Sequence, residues 1–249
     1  MQADHGITIP HIKSKSKPLD VAFVPPSPLP LDGSFYVVGQ PGSGKTSLIL
    51  SLLKSHPTRA HPERPKFFYG YFNRIHIVSP SHTTLPDLDL PPEQIHEQFS
   101  DQGVQGIINE LHAQTNGNDL LWLDDCITDI SSSPPSLQRA ILNRRHVTCN
   151  EGPGTSSLSV IVTSQHYKAL HPKLRSNFSH LILFPTQNAS VLKTIRDEVM
   201  SDLSDHDSKR LLRFAWTATP ASPRPFLLVC LAKCRGDGRY YKSFNKITF

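Results

Sequence analysis

Residues 39–46 read Gly-Gln-Pro-Gly-Ser-Gly-Lys-Thr, a complete Walker A phosphate-binding loop. Gly39, Pro41, Gly42, Ser43 and Gly44 make the turn. Glycines there let successive backbone N–H groups face inward on phosphates, and the dipole of a following helix favours negative charge at the same place. In this reading Lys45 reaches the β- and γ-phosphates of ATP, the Thr46 hydroxyl sits on Mg²⁺, and Ser47 continues the cradle. A second group of interest is Asp124-Asp125, directly after the apolar run Leu120-Leu121-Trp122-Leu123, the pattern of a Walker B strand. Asp124 would hold Mg²⁺ through its water shell, and Asp125 would orient or deprotonate an attacking water. The alternative is that the two acids cap a loop. A third is Gln165, at the end of Thr163-Ser164-Gln165. A glutamine beside a γ-phosphate can hydrogen-bond both the water and the phosphate, and so can report whether the triphosphate is intact. Cations close in sequence to these groups are Arg144-Arg145-His146, Lys173 and Arg175, residue types that stabilise charge in phosphoryl transfer. For any one arginine, a surface ion pair fits as well.

These groups need elements to hold them. Phe35-Tyr36-Val37-Val38 is a short buried-strand run ahead of the loop, and Leu48-Ile49-Leu50-Ser51-Leu52-Leu53 is a strong helix former after it. Arg74-Ile75-His76-Ile77-Val78 alternates into a second strand that Pro80 ends. Residues 93–114 carry Ile107, Ile108 and Leu111 at helical spacing. The third strand runs into Asp124-Asp125. Ser131-Ser132-Ser133-Pro134-Pro135 then starts a helix reaching about His146. Gly152-Pro153-Gly154 precedes a fourth strand at 159–163, and the fifth is at 180–184. Asn188 can cap a helix with Val191, Leu192, Ile195 and Val199 on one face, and Ser204-x-x-Asp207 resembles a capping box for another. Residues 226–232 and 240–247 read as two closing strands, paired as a hairpin around Gly236-Asp237-Gly238.

Strands alternating with helices predict a mostly parallel α/β sheet, whose ligands gather at the carboxyl ends of its strands. One strand lies between Walker A and Walker B in the chain. In NTPases so arranged, the strand after Walker B inserts between the two and offers its end, here Gln165, to the γ-phosphate. Two regions are expected: a Pro-rich, basic extension at 1–31, with Lys13, Lys15 and Lys17, and one ATPase domain at 32–249.

The 249 residues carry 26 Lys and Arg against 21 Asp and Glu, a net +5 that says little about partners. The distribution says more. Over 221–249 the charged residues are Arg224, Lys233, Arg235, Arg239, Lys242 and Lys246 against a single acid, Asp237. Such a surface attracts phosphates of DNA, or is only a solvated face. The four cysteines, Cys126, Cys149, Cys230 and Cys234, have no zinc-type spacing, so reduced thiols are expected. No apolar run approaches the ~20 residues that span a bilayer, nor is there a signal-peptide core. A soluble, intracellular protein is expected.

The Walker A octet, Leu123-Asp124-Asp125-Cys126, Asn143-Arg144-Arg145-His146, the strand into Thr163-Ser164-Gln165, and Leu174-Arg175-Ser176-Asn177 followed by His180-Leu181-Ile182-Leu183-Phe184 together carry a specific likeness. The chain resembles the genome-packaging ATPases of poxviruses and other large DNA viruses. These are relatives of the FtsK/HerA translocases, also found in virophages and Maverick/Polinton elements. The likeness covers about 35–184; residues 1–31 match nothing in it. It departs at Asp125, where wider relatives usually have glutamate, and at Arg144, where glycine often precedes Arg-His, so that Arg145 aligns with the family arginine. The resemblance implies a RecA-like P-loop fold and rings of about five or six subunits on double-stranded DNA. It also implies a capsid or vertex partner, and a place in the host cytoplasm or nucleus at virion assembly, or in the virion. It further implies an arginine supplied in trans by a neighbouring subunit, with Arg175 expected first and Arg145 second. Competing readings are a slowly hydrolysing scaffold or partition switch and a nucleotide kinase. The extra strand and Gln165 disfavour the kinase.

Overall fold

The apolar runs become strands of one sheet, and the amphipathic segments cover its faces. The structure, a computed structural model, describes residues 2–3, 29–30, 32–85, 88–113, 117–126, 134–144, 157–220, 222–231 and 239–248. Its strands are β1 (Gln2–Ala3), β2 (Ser34–Val38), β3 (Arg74–Val78), β4 (Ile95–His96), β5 (Asn118–Asp124), β6 (Ser157–Ser164), β7 (His180–Leu183), β8 (Leu227–Cys230), β9 (Tyr240–Lys242) and β10 (Asn245–Thr248). The helices are α1 (Lys45–Lys54), α2 (Asp101–Ala113), α3 (Pro135–Leu142), α4 (Pro172–Arg175), α5 (Ala189–Val199) and α6 (Asp205–Trp216).

Across the sheet the order is β1-β10-β9-β8-β7-β2-β6-β5-β3-β4. From β4 to β7 every pair is parallel, and from β7 to β1 every pair is antiparallel. The expected mostly parallel α/β sheet is therefore present, with β6 inserted between β2 and β5. Side chains alternate across the pleat and bury both faces. Tyr36, Val38, Leu121, Leu123, Val160 and Val162 join a core with α2, α3, α5 and α6. Phe35, Val37, Leu120, Trp122 and Ile161 join the opposite one with α1, Phe67 and Phe68.

Two polar clasps fix the register at the amino ends of the strands, opposite the loop. The Ser34 N–H donates to Ser179 Oγ (2.8 Å), while the Ser179 N–H donates to Ser34 Oγ (2.9 Å), joining the start of β2 to the residue before β7. Arg74 donates to both oxygens of the fully buried Asp119 (2.8 and 2.7 Å), joining β3 to β5. Such bidentate charged bonds hold geometry as well as energy.

Several boundaries differ from the sequence reading. The helix expected from residue 93 begins at Asp101, because Ser100 caps it: its Oγ accepts from the Gly103 N–H (2.9 Å) and its carbonyl from Val104 (3.0 Å). Ile95–His96 instead adds an edge strand to β3. The second closing strand splits into β9 and β10, because the chain reverses at Ser243, whose φ is 56°. Its pairing with β8 is antiparallel as expected; the Gly236-Asp237-Gly238 turn lies outside the described residues. The caps at Asn188 and Ser204 form as read, each accepting from N–H groups of the first turn that follows.

Reduced thiols throughout were expected, but Cys230 is disulfide-bonded; spacing along the chain does not tell which sulfurs meet in space. Cys126 is a free thiol, pushed up to about 12 by burial, with Asp124 and Asp125 adding to the shift. It stays protonated at neutral pH. No helix among the described residues is long and apolar enough to cross a membrane.

Candidate nucleotide-binding site

β2 delivers the phosphate loop to the carboxyl edge of the sheet. The Gly39 N–H donates to the Ser164 carbonyl at the end of β6 (3.1 Å), and Leu48 N–H to Gly44 O (2.8 Å) opens α1. Gly42 (φ 74°) and Gly44 (φ 102°) lie in the left-handed region that L side chains avoid. Gly39 is demanded by space instead, since a Cβ there would stand 2.4 Å from Ser43 Oγ and 2.8 Å from Phe184 Cβ.

Lys45 is 5% exposed. Its Nζ donates to Gly39 O (2.9 Å) and lies 3.3 Å from Asp125 Oδ2, so its ammonium crosses the loop towards the end of β5. Asp124 faces the loop from β5. Its Oδ1 accepts from Thr46 Oγ1 (3.3 Å) and Thr163 Oγ1 (2.7 Å), and Ser79 Oγ from the end of β3 lies 3.5 Å from Oδ2. Thr163 Oγ1 in turn accepts from the Asp125 N–H (2.9 Å), so one hydroxyl on the inserted strand orients both acids. Asp125 has φ 48°, which turns its carboxylate back towards Lys45.

Burial pushes the Asp124 carboxyl above the usual carboxylate range, and neighbouring Asp125 adds to it; the Thr163 and Thr46 hydroxyls and Lys45 offset only part of this. A buried carboxylate so placed gains from a nearby cation. Two buried polar atoms here have no hydrogen-bond partner, Ser43 Oγ and Asp125 Oδ1. Hydroxyl and carboxylate oxygens from Thr46 and Asp124 are hard donors of the kind Mg²⁺ takes, together with waters and phosphates. The residues present therefore fit both a phosphate chain and Mg²⁺. Gln165 follows β6 directly and is half-buried. Ser164 pairs with Val38 and Thr163 with Asp124, so Gln165 stands between the phosphate loop and the paired acids.

Arg175 is corrected. It was expected to project to a neighbouring subunit, but it is 4% exposed and its donors are engaged within the chain. It donates to both oxygens of Glu198 on α5, with Nε to Oε2 at 3.0 Å, and to Leu170 O, and its guanidinium lies 4.8 Å from the Tyr167 ring centroid. Tyr167 also donates to Glu198 (2.8 Å). Pro172 begins α4, whose turn folds the Arg175 side chain under α5. Arg144 donates to Asp32 O (2.7 Å) and Ile141 O (2.9 Å). Arg145 and His146 lie outside the described residues; Lys173 is exposed.

Among the described cations of the basic C-terminal segment, Lys242 is covered, whereas Arg224 and Arg239 are exposed. Lys242 is 9% exposed with Nζ 5.0 Å from the Phe214 ring centroid, and Arg239 bonds Val199 O and pairs with Asp202 (3.6 Å). Arg224, counted in the sequence only as part of that segment, stands against the phosphate loop: a Cβ on Gly44 would be 3.3 Å from its Cδ and 3.5 Å from Nη1. No local pattern signals a contact between residues so far apart in the chain.

No protein-family model and no curated protein matches the chain. Solved structures do. The genome packaging NTPase B204 from Sulfolobus turreted icosahedral virus 2, in complex with ATP-gammaS, aligns with a TM-score of 0.58 at 15% identity over 88% of this chain and 100% of that one. Its complex with AMPPCP gives 0.54 at 17% over 82% and 94%. B204, the DNA-packaging ATPase from Sulfolobus turreted icosahedral virus, gives 0.53 at 18% over 80% and 93%. At these identities the likeness is one of fold, and the chain has the RecA-like P-loop NTPase fold.

Proposed function

We propose that the chain is an ATP-hydrolysing translocase that moves double-stranded DNA, packaging a viral genome into a capsid. The observation that carries the reading is the insertion of β6 between β2 and β5, which gathers Lys45, Asp124, Asp125 and Gln165 at one edge of the sheet. Gln165, the proposed sensor for the γ-phosphate, then directly follows the strand whose Thr163 hydroxyl orients both acids, which suits a motor whose shape follows its nucleotide. The solved B204 structures, whose fold this chain shares, are those of a genome packaging NTPase.

In this proposal Gly42, Ser43, Gly44, Lys45, Thr46 and Ser47 bind the phosphates of ATP, with Gly39 and Pro41 shaping the turn. Lys45 exchanges Asp125 for the β- and γ-phosphates. Thr46 and Asp124 hold Mg²⁺, which when bound neutralises phosphate charge and polarises the transferred group. Asp125 orients the attacking water and accepts its proton, the bond to the β–γ bridging oxygen breaks, and ADP and phosphate result. Gln165 hydrogen-bonds the water and the γ-phosphate. Arg145 remains the arginine proposed to complete a neighbour's site in a ring, and a capsid or vertex protein is the proposed docking partner at the site of virion assembly.

The test is steady-state ATP hydrolysis with and without long duplex DNA. Turnover that rises severalfold with DNA supports the translocase. Slow turnover indifferent to DNA supports a nucleotide-dependent scaffold instead, and phosphate transfer to a nucleoside monophosphate would make the chain a kinase.

A further inference from the structure

We infer that Arg224 is a nucleotide-binding residue, gripping the α-phosphate from the same chain on the side of the phosphate loop away from the catalytic acids. This rests on the nucleotide reading of the loop. Gly44 is the N-cap of α1, and the first turn of α1 contains no acid. A helix N-terminus repels cations. Yet two cations are held there, Lys45 within the loop and Arg224 with Cδ and Nη1 at 3.3 and 3.5 Å from the position of a Gly44 Cβ. Lys45 has Asp125 as its counter-ion, but Arg224 is exposed and has no ion pair with any described carboxylate. An anion bound at the loop supplies the missing charge.

Arg224 is placed rather than trailing. Prolines 223 and 225 flank it in the sequence. Before it, Thr219 and Ser222 exchange backbone hydrogen bonds (3.1 and 3.0 Å), and Ser222 Oγ meets Ser243 Oγ (3.1 Å). After it, Phe226 packs on Phe184 with ring centroids 5.6 Å apart, and Phe184 in turn backs both Gly39 and Gly44. The arginine is thus braced against the loop it faces.

Its side of the loop identifies the phosphate. Asp124, Asp125 and Gln165 come from β5 and β6, on one flank of β2, and they fix the γ-phosphate there. Phe184, at the end of β7, and Arg224, ahead of β8, belong to the other flank. A phosphate chain lying along the loop with its γ end at the acids must leave its α end and nucleoside towards Arg224. The contact is then shared by ATP and ADP, and it serves retention of nucleotide rather than sensing of hydrolysis.

The test is equilibrium binding of Mg-ADP and a non-hydrolysable Mg-ATP analogue to wild type, Arg224→Ala, Arg224→Lys and Lys45→Ala. A charge-assisted hydrogen bond of this kind predicts roughly tenfold or greater weakening in Arg224→Ala. The loss should be equal for the two nucleotides, with partial recovery in Arg224→Lys. Unchanged affinity in Arg224→Ala, while wild type binds and Lys45→Ala does not, would overturn the role of Arg224 alone. Loss confined to the ATP analogue would also overturn it, moving the guanidinium to the γ-phosphate. Wild type that binds neither nucleotide would overturn the nucleotide reading of the loop, and this inference with it.

Discussion

Replacing Arg175 with alanine separates two roles that the sequence alone could not. A residue offered to a neighbouring subunit would cost little stability when truncated and would abolish hydrolysis. The side chain found here instead ties α4 to α5, with two bonds to Glu198, one to Leu170 O and a stacked Tyr167 ring. Removing one partner of a buried pair costs about 3–5 kcal/mol, and the Glu198 side chain, 29% exposed, is partly rehydrated, so the low end applies. At roughly 2–4 °C per kcal/mol for a chain of this size, Arg175→Ala should melt about 6–12 °C lower.

The loss should depend on pH. Burial pushes the Glu198 carboxyl up, but bonds from Arg175 and Tyr167 outweigh this and hold it below its ordinary value of 4.5. A depressed carboxylate contributes stability above its unfolded pKa and loses it as pH falls through the folded one. The difference between wild type and variant should therefore be full at pH 7 and shrink below about pH 4.5. Changing Arg175 and Glu198 together to methionine should recover much of it, since no buried charge is left unpaired. Thermal and urea unfolding measure the stability, and ATP turnover below the melting range measures the rest. A variant as stable as wild type but without turnover would refute the structural role and restore the arginine to a neighbour's nucleotide.

Two further outcomes follow from single side chains. Asp124→Asn removes a buried charge that its surroundings disfavour, while its amide oxygen can still accept from Thr163. Melting of the nucleotide-free protein should rise by about 2–4 °C, on the order of 1 kcal/mol, while stabilisation by added Mg²⁺ and nucleotide disappears in calorimetry; a lowered melting point without ligand would show that the carboxylate is well solvated. Lys242→Met should keep the fold and leave the salt dependence of duplex DNA binding unchanged, because the ammonium is held over Phe214 and lowered by burial rather than offered to phosphates; a slope smaller by about 0.9 would count one lost phosphate contact and contradict this.

What could be read from the sequence was what is local. Short apolar runs bounded by turn residues gave the strand positions, and Asn188 and Ser204 marked helix starts because a capping side chain reaches only two or three residues ahead. The order of motifs also gave the insertion of β6 between β2 and β5, since that is a matter of topology. Contacts between distant segments were illegible. Arg175 looked like a free cation until α5 supplied Glu198, and Arg224 looked like one charge in a basic tail until the closing strands brought it to Gly44. Lys242 shows the same limit, because composition counts charges without saying which are covered.

The left-handed backbone at Asp125 bears on how an acid as short as aspartate reaches the lysine of the phosphate loop. Aspartate tolerates positive φ better than most residues with a β-carbon. At φ 48° the main chain itself swings the carboxylate to within 3.3 Å of Lys45 Nζ. Reach that a longer side chain gains from an additional methylene, with an additional rotatable bond to order, is built here into the polypeptide. The carboxylate therefore has one fewer torsion to settle, and its aim is governed by the Thr163 hydroxyl that holds the Asp125 N–H.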